Sequence, residues 1–150
     1  MTTTVDDATL VVTRQFNAPP ARVFDAWMNH DEFQSWIGIE GVHCEVPEFD
    51  ARVGGRYRIN LQLSTGEIAP VTGEFRKIDA PRRIVLTWNW NNDPKRRTVI
   101  TLTFAPREGG TEMTLRQEGV ESPEDRNNHG RGWNSTFNKL AAHLNGTLTA

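Results

Sequence analysis

The sequence predicts an α+β fold in which a curved, seven-stranded antiparallel sheet is covered on its concave side by one long C-terminal helix, with two short helices after the first strand. Three observations carry this expectation. Between residues 42 and 119, apolar residues alternate in short runs broken by turn residues at regular spacing, as in consecutive hairpins. A β-branched run over residues 8–17 stands apart from them, separated by two segments with helical apolar spacing. Finally, Trp133, Phe137, Leu140 and Leu144 recur at i, i+4, i+7 and i+11 inside residues 122–145, which makes one apolar stripe on a helix. With 150 residues and no linker or repeat, the chain reads as a single domain, 1–150, whose core spans about residues 8–146.

Taken in order, "ATLVVTRQFN" (8–17) is the first strand. "APPARVFDAWMNH" opens on two prolines suited to a first helical turn, and places Val23, Phe24 and Trp27 on one face. Asp31 is the expected cap of a second helix, "EFQSWI", which carries Phe33 and Trp36. "VHCEVPEFD" (42–50) is a strand that Pro47 restricts to an edge or a bulge. "ARVGG" turns the chain, with positive φ expected at Gly54 and Gly55. "RYRINLQL" then sets Tyr57, Ile59, Leu61 and Leu63 against Arg56, Arg58, Asn60 and Gln62. "VTGEFRKI", "IVLTWNW", "RTVITLTF" and "TEMTLRQEG" complete the meander, joined by "DAPRR", "NNDPK" and "REGG". The last helix starts at a capping Ser122 followed by Pro123 and acids, and is expected to stop near Asn145 and Gly146. Gly130 and Gly132 in its middle mark either a kink or a close approach to the sheet.

One helix does not fill a curved seven-stranded sheet from end to end, so either large side chains or a cavity must occupy the rest. "LTWNW" sharpens that choice. Leu86, Trp88 and Trp90 point to one face of a strand, as core filler or as a cavity wall.

Composition and motifs exclude several chemistries. A net charge of −2 gives no general attraction to nucleic acid or anionic membrane. The basic clusters at Arg82–Arg83 and in residues 95–97 read as solvated hairpin ends, without the exposed aromatics that stack bases. No apolar stretch approaches the roughly 20 residues of a membrane helix, and "MTTTVDDATL" is not a secretory signal. The single Cys44 excludes an internal disulfide and suits a reducing cytoplasm, the expected location. His43 and Cys44 are adjacent on a strand, so they face opposite ways and form no dyad. Ser35, Ser64 and Ser122 each have a local structural reading, and none lies in a G-x-S-x-G context. His30, His43, His129 and His143 have no ligand spacing, so no metal and no cofactor is expected. "GGRYR" lacks the ending of a phosphate loop. His43, Arg58, Glu74 and Gln117 are polar positions within apolar strands. Each is either a cavity-facing polar group that needs a partner, which for a buried Glu74 would mean a raised pKa suited to acid–base work, or a solvent-facing strand residue.

Five stretches in order resemble the family called Activator of Hsp90 ATPase homologue 1-like, of the START/Bet v 1-like superfamily with its helix-grip fold. They are "RQFNAPPARVFDAWMNHDEFQSWIG", "FDARVGGRYRI", "GEFRKIDAPRRIVLTWNW", "TLTFAPREGGTEMTLRQEG" and "HGRGWNSTFNKLAAHL", and the similarity runs from about Leu10 to Leu144. The resemblance implies a sheet gripping the C-terminal helix around a cavity that holds hydrophobic small molecules in some members. Short bacterial members of this size are common, and related branches include polyketide aromatase/cyclases. The eukaryotic co-chaperones carry a further N-terminal domain for which this chain leaves no room, so Hsp90 stimulation is not expected. The resulting expectation is a binder rather than an enzyme, holding a lipid, polyketide or aromatic metabolite against Trp36, Trp88, Trp90, Met113, Leu115, Trp133 and Phe137. The alternatives are a cyclase-like enzyme using cavity polar groups, and a chaperone-associated interaction module with a filled interior.

Overall fold

The structure, a computed structural model, describes residues 8–149 except 64, 92, 94–96 and 121, with side chains as far as Leu144. Its elements are β1 (Thr9–Phe16), α1 (Pro20–Met28), α2 (His30–Trp36), β2 (Cys44–Phe49), β3 (Arg56–Gln62), β4 (Ile68–Asp79), β5 (Arg83–Trp90), β6 (Arg97–Arg107), β7 (Gly110–Glu118) and α3 (Pro123–Thr149). The seven strands form one sheet in the order β1-β7-β6-β5-β4-β3-β2, every pair antiparallel. β2 lies at one edge, and its pairing with β3 shifts register between Glu45 and Glu48, around Pro47. Pro47 has no N–H for a ladder, so both of its expected refuges, edge and bulge, are used.

Local chemistry sets the ends of the helices. α1 begins after Pro19, with Pro20 at its first position, and buries Val23, Phe24, Ala26 and Trp27. α2 is capped by Asn29, not by Asp31: the Asn29 side-chain oxygen accepts the Glu32 N–H at 3.0 Å. Asn29 immediately precedes the first helical residue and so reaches that amide. Asp31 already sits in the first turn, where its charge faces the helix N-terminus. Ser122 does cap α3, its hydroxyl accepting the Asp125 N–H at 3.2 Å. α3 runs past Gly146 to Thr149 because none of its glycines adopts the positive φ that a glycine stop uses. Gly130 and Gly132 stay helical. A Cβ on them would come 3.5 Å from Leu10 and 3.7 Å from Ile39, so they mark close approach rather than a kink. In the turn before β3, Gly54 has φ +84°, whereas Gly55 is required by space: a Cβ there would lie 2.0 Å from the Asp50 carbonyl oxygen. Leu63, expected in the apolar alternation, is exposed just past the end of β3.

The inner face of the sheet is filled. Trp27 is the hub, its ring centroid 4.7 Å from that of Trp36, 6.0 Å from Phe33, 6.3 Å from Phe137 and 6.4 Å from Trp133. Its indole N–H donates to the Met113 sulfur at 3.3 Å, and the Trp36 N–H donates to the Ala26 carbonyl at 3.0 Å. What remains beneath the hub, between Trp27, Phe33, Tyr57, Phe75, Ile84 and Leu86, is a void of about 10 Å³. That is about one water's worth and too little for a ligand.

An ionic clasp joins the helices: Glu32 on α2 accepts from Arg22 on α1 at 2.6 Å and from His143 on α3 at 2.8 Å. Burial pushes the Glu32 carboxyl up, but the bonds and charges of His143 and Arg22 outweigh it and hold it below its usual 4.5. A carboxyl lowered by folding stabilises the protein above its unfolded value, and this contribution is lost as pH falls through the folded one. Glu32→Gln is therefore expected to lose about 1 kcal/mol at pH 7. The gap from the parent should close as denaturation midpoints are measured at successively lower pH, below about 4.5. A constant gap across that range would mean that the carboxylate charge is not what Gln removes.

Candidate functional site

Space opens at one end of the sheet, beside the first half of α3. Trp88 and Trp90 project from β5, and Trp133 comes down from α3 with its ring 4.9 Å from that of Trp88. Ile37, Gly38 and Ile39, just after α2, form the opposite wall, and Asn128, His129, Gly132 and Thr136 of α3 form the roof. These residues enclose a cleft of about 190 Å³, open to solvent and almost wholly apolar in its lining. Two glycines shape it. Gly38 turns the chain at φ +91°, where a Cβ would lie 2.4 Å from the Cys44 sulfur, and Gly132 leaves the helix face bare opposite Ile39.

Behind the indoles runs a buried polar chain. The Trp133 N–H donates to the Gln117 oxygen at 2.9 Å, the Gln117 amide donates to the Thr98 hydroxyl at 2.9 Å, and that hydroxyl donates to the Trp88 carbonyl at 2.8 Å. Gln117 is 0% exposed, and its placement links α3, β7, β6 and β5 through satisfied hydrogen bonds. A buried amide with both ends satisfied fixes the orientation of its partners. Gln117→Leu is expected to cost about 2 kcal/mol, because it leaves the Trp133 N–H unpartnered in an apolar setting. Urea denaturation checks the cost. A red shift of the summed tryptophan emission would report an indole moving toward solvent. An unchanged midpoint would show that the chain contributes nothing.

The residues expected to form a site are dispersed. Trp88, Trp90 and Trp133 meet at the cleft. Trp36, Met113, Leu115 and Phe137, expected beside them on the wall, lie in the packed core at 0% exposure. Large aromatics from α1 and α2 occupy the space in front of them, and residue spacing does not reveal which helix plugs which part of a sheet. Of the polar four, Gln117 alone faces inward, at the position two beyond Leu115 and four beyond Met113. Arg58, whose Nε donates to Asn60 at 2.9 Å, and Glu74, 3.7 Å from Arg76, are on the outer face. Glu74 borders a polar groove of about 430 Å³ there, with Arg56, Thr72, Asn89 and Arg97. His43 is exposed, beside a second polar groove bordered by Ser35 and Lys139, while Cys44 next to it is buried, as their alternation requires. Among the described residues, the ionisable side chains in the interior are Cys44 and Tyr57, both pushed above their ordinary values by burial. Tyr57 donates to the Thr87 carbonyl, away from the cleft. Of the basic clusters, residues 95 and 96 lie outside the described residues. Sequence spacing missed Ile37, Ile39, His129, Gly132 and Thr136. They reach the cleft through the fold of the α2–β2 connection over α3, which has no periodic signal.

An antiparallel meander closed over one long C-terminal helix, with an apolar cleft where the two part, defines a helix-grip protein. Within that class, the chain belongs to the Activator of Hsp90 ATPase homolog 1-like family, whose sequence pattern matches residues 17–145. Solved structures similar to it include a protein from Chromobacterium violaceum, 29% identical with a TM-score of 0.80 over 90% of this chain and 96% of that one. The AHSA1 protein from Silicibacter pomeroyi is 26% identical with a TM-score of 0.78, over 91% and 97% of the two chains. A Staphylococcus epidermidis protein solved by NMR is 26% identical with a TM-score of 0.83, over 98% and 95%. The human activator of 90 kDa heat shock protein ATPase homolog 1 is 33% identical over 64 residues, which is 42% of this chain but 19% of the human protein. No described helix is long and apolar enough to cross a membrane.

Proposed function

We propose that this protein binds an apolar small molecule in the cleft between β5 and α3. The observation that carries the reading is the cleft itself: about 190 Å³ of space walled by Trp88, Trp90 and Trp133 and closed by Ile37 and Ile39. Water in an open apolar cleft has few hydrogen-bond partners and is readily displaced by an apolar molecule, and ligand sites are commonly aromatic concavities with a few polar groups at the rim. The volume sets the scale of the ligand, since a cavity of about 150 Å³ takes up benzene. One or two rings fit, and a long lipid chain does not.

The enzyme alternative has less support, because the interior ionisable groups do not converge on the cleft. An Hsp90-linked role rests on the name of a human protein of which this chain matches 19%. Equilibrium dialysis with naphthalene, an apolar probe of two rings, tests the binding reading. Trp90→Ala should weaken binding about tenfold with little loss of stability, because Trp90 is half-buried and its main neighbour is the cleft. Trp36→Phe should leave binding as it is while lowering the denaturation midpoint. Equal affinity of Trp90→Ala and the parent would remove the reading's support.

A further inference from the structure

We infer that the cleft is selective for a planar aromatic molecule of one or two rings that carries a hydroxyl group, and that His129 is the residue that selects it. The inference rests on the binding reading above and adds the polar requirement. Three observations lead to it.

The first is the tautomer of His129. Its Nδ1 lies 2.8 Å from the Asp125 carbonyl oxygen, one turn back along α3. A carbonyl only accepts, so Nδ1 carries the proton. In the neutral ring, Nε2 then bears a lone pair, and it has no partner among the described residues. The second is the state of the other rim groups. The Asn128 side-chain oxygen already accepts from Arg131 at 2.6 Å, and Thr136 is 3% exposed. Among the rim side chains, His129 at the roof is therefore the one whose acceptor is uncommitted. The third is the state of the indoles. The Trp133 N–H is committed to Gln117, whereas those of Trp88 and Trp90 have no partner among the described residues. The residues that line this slot of ring-sized volume thus carry one uncommitted lone pair and two uncommitted N–H donors among the described residues. A hydroxyl on an aromatic ring matches both, since its hydrogen can go to Nε2 and its oxygen can accept from an indole. A bare hydrocarbon satisfies neither, and leaves these groups desolvated without a partner, at a cost of roughly tenfold in affinity for each bond lost.

Equilibrium dialysis with three probes of nearly the same shape tests this. Naphthalene has no polar group, 2-methoxynaphthalene has an acceptor without a donor, and 2-naphthol has both. The parent protein should bind 2-naphthol about a hundredfold more tightly than naphthalene, tenfold for each of two bonds, with 2-methoxynaphthalene about midway. In His129→Phe the naphthol advantage should fall about tenfold, to what the bond from an indole N–H supplies, while naphthalene binding persists. His129→Gln, whose amide oxygen can accept, should recover part of it. Retained naphthalene binding shows that each variant keeps its cleft. If the parent binds naphthalene and 2-naphthol equally, or if His129→Phe keeps the full preference, the inference is overturned and the apolar cleft stands. If the parent binds none of the three, the cleft reading falls and takes the inference with it.

Discussion

Trp133→Ala should cost about 4 kcal/mol in urea denaturation and abolish probe binding as well. Trp133 is 5% exposed, and its ring packs against those of Trp27, Trp88 and Phe137 at centroid distances of 6.4, 4.9 and 5.5 Å. Truncating a packed indole to a methyl typically costs about 3–5 kcal/mol, because the surrounding core collapses only in part. The loss of its hydrogen bond adds to this, since Gln117 keeps a buried oxygen with no donor. In a domain of this length the midpoint temperature should fall on the order of 10 °C. Trp133 is both wall and core, which is why the two properties should fall together. A cost below about 1 kcal/mol would mean that the ring is not packed as described.

Gly73→Ala is expected to be about as damaging, at about 4 kcal/mol, in a position with no ligand nearby. A Cβ on Gly73 would lie 2.0 Å from the Thr87 carbonyl oxygen and 2.6 Å from the Tyr57 hydroxyl. Side chains complete the seam between β4 and β5 here. The Glu74 N–H donates to the Thr87 hydroxyl at 2.9 Å, and Tyr57, fully buried, donates to the Thr87 carbonyl. An added methyl forces the strands apart, at about 1–3 kcal/mol for overpacking, and strands a buried phenol, at a similar cost. The test is a cycle with Tyr57→Phe. Removing the hydroxyl relieves the contact at 2.6 Å but not the one at 2.0 Å with backbone, so Gly73→Ala should remain destabilising in the Phe background. Full recovery there would place the clash on the tyrosine alone. A stable single variant would contradict the strand spacing.

Much of the fold was legible residue by residue. Alternation from Tyr57 to Ile59 and from Ile100 to Phe104 marks strands with one buried face, and both runs are buried as the period of two requires. The Trp133 to Leu144 stripe marks the helix face that meets the sheet, and all four of its residues are buried. Less of the site was legible. "LTWNW" does place two indoles at the cleft, because i and i+2 on a strand share a face whatever lies above them. The identity of what lies above is another matter. Trp27, read as one residue of a short amphipathic helix, is the hub that fills the centre, and it converts four expected wall residues into core.

The sequence by itself determined the order of elements, the turn positions, the buried face of each strand and the shared direction of Trp88 and Trp90. These depend on the φ/ψ preferences and side-chain periods of neighbouring residues, which are local properties. The tertiary structure decided which edge of the meander β1 joins, pairing Thr9 with Glu118, and so brought the chain's first strand beside its last. It also decided that α1 and α2 plug the interior, that Asn29 rather than Asp31 caps α2, and that Gln117 turns inward to hold Trp133. Finally, it brought Ile39 and His129, 90 positions apart in the chain, to the same cleft. Such meetings are set by how finite helices share the limited area of one sheet face, a packing constraint over the whole domain that no window of sequence contains.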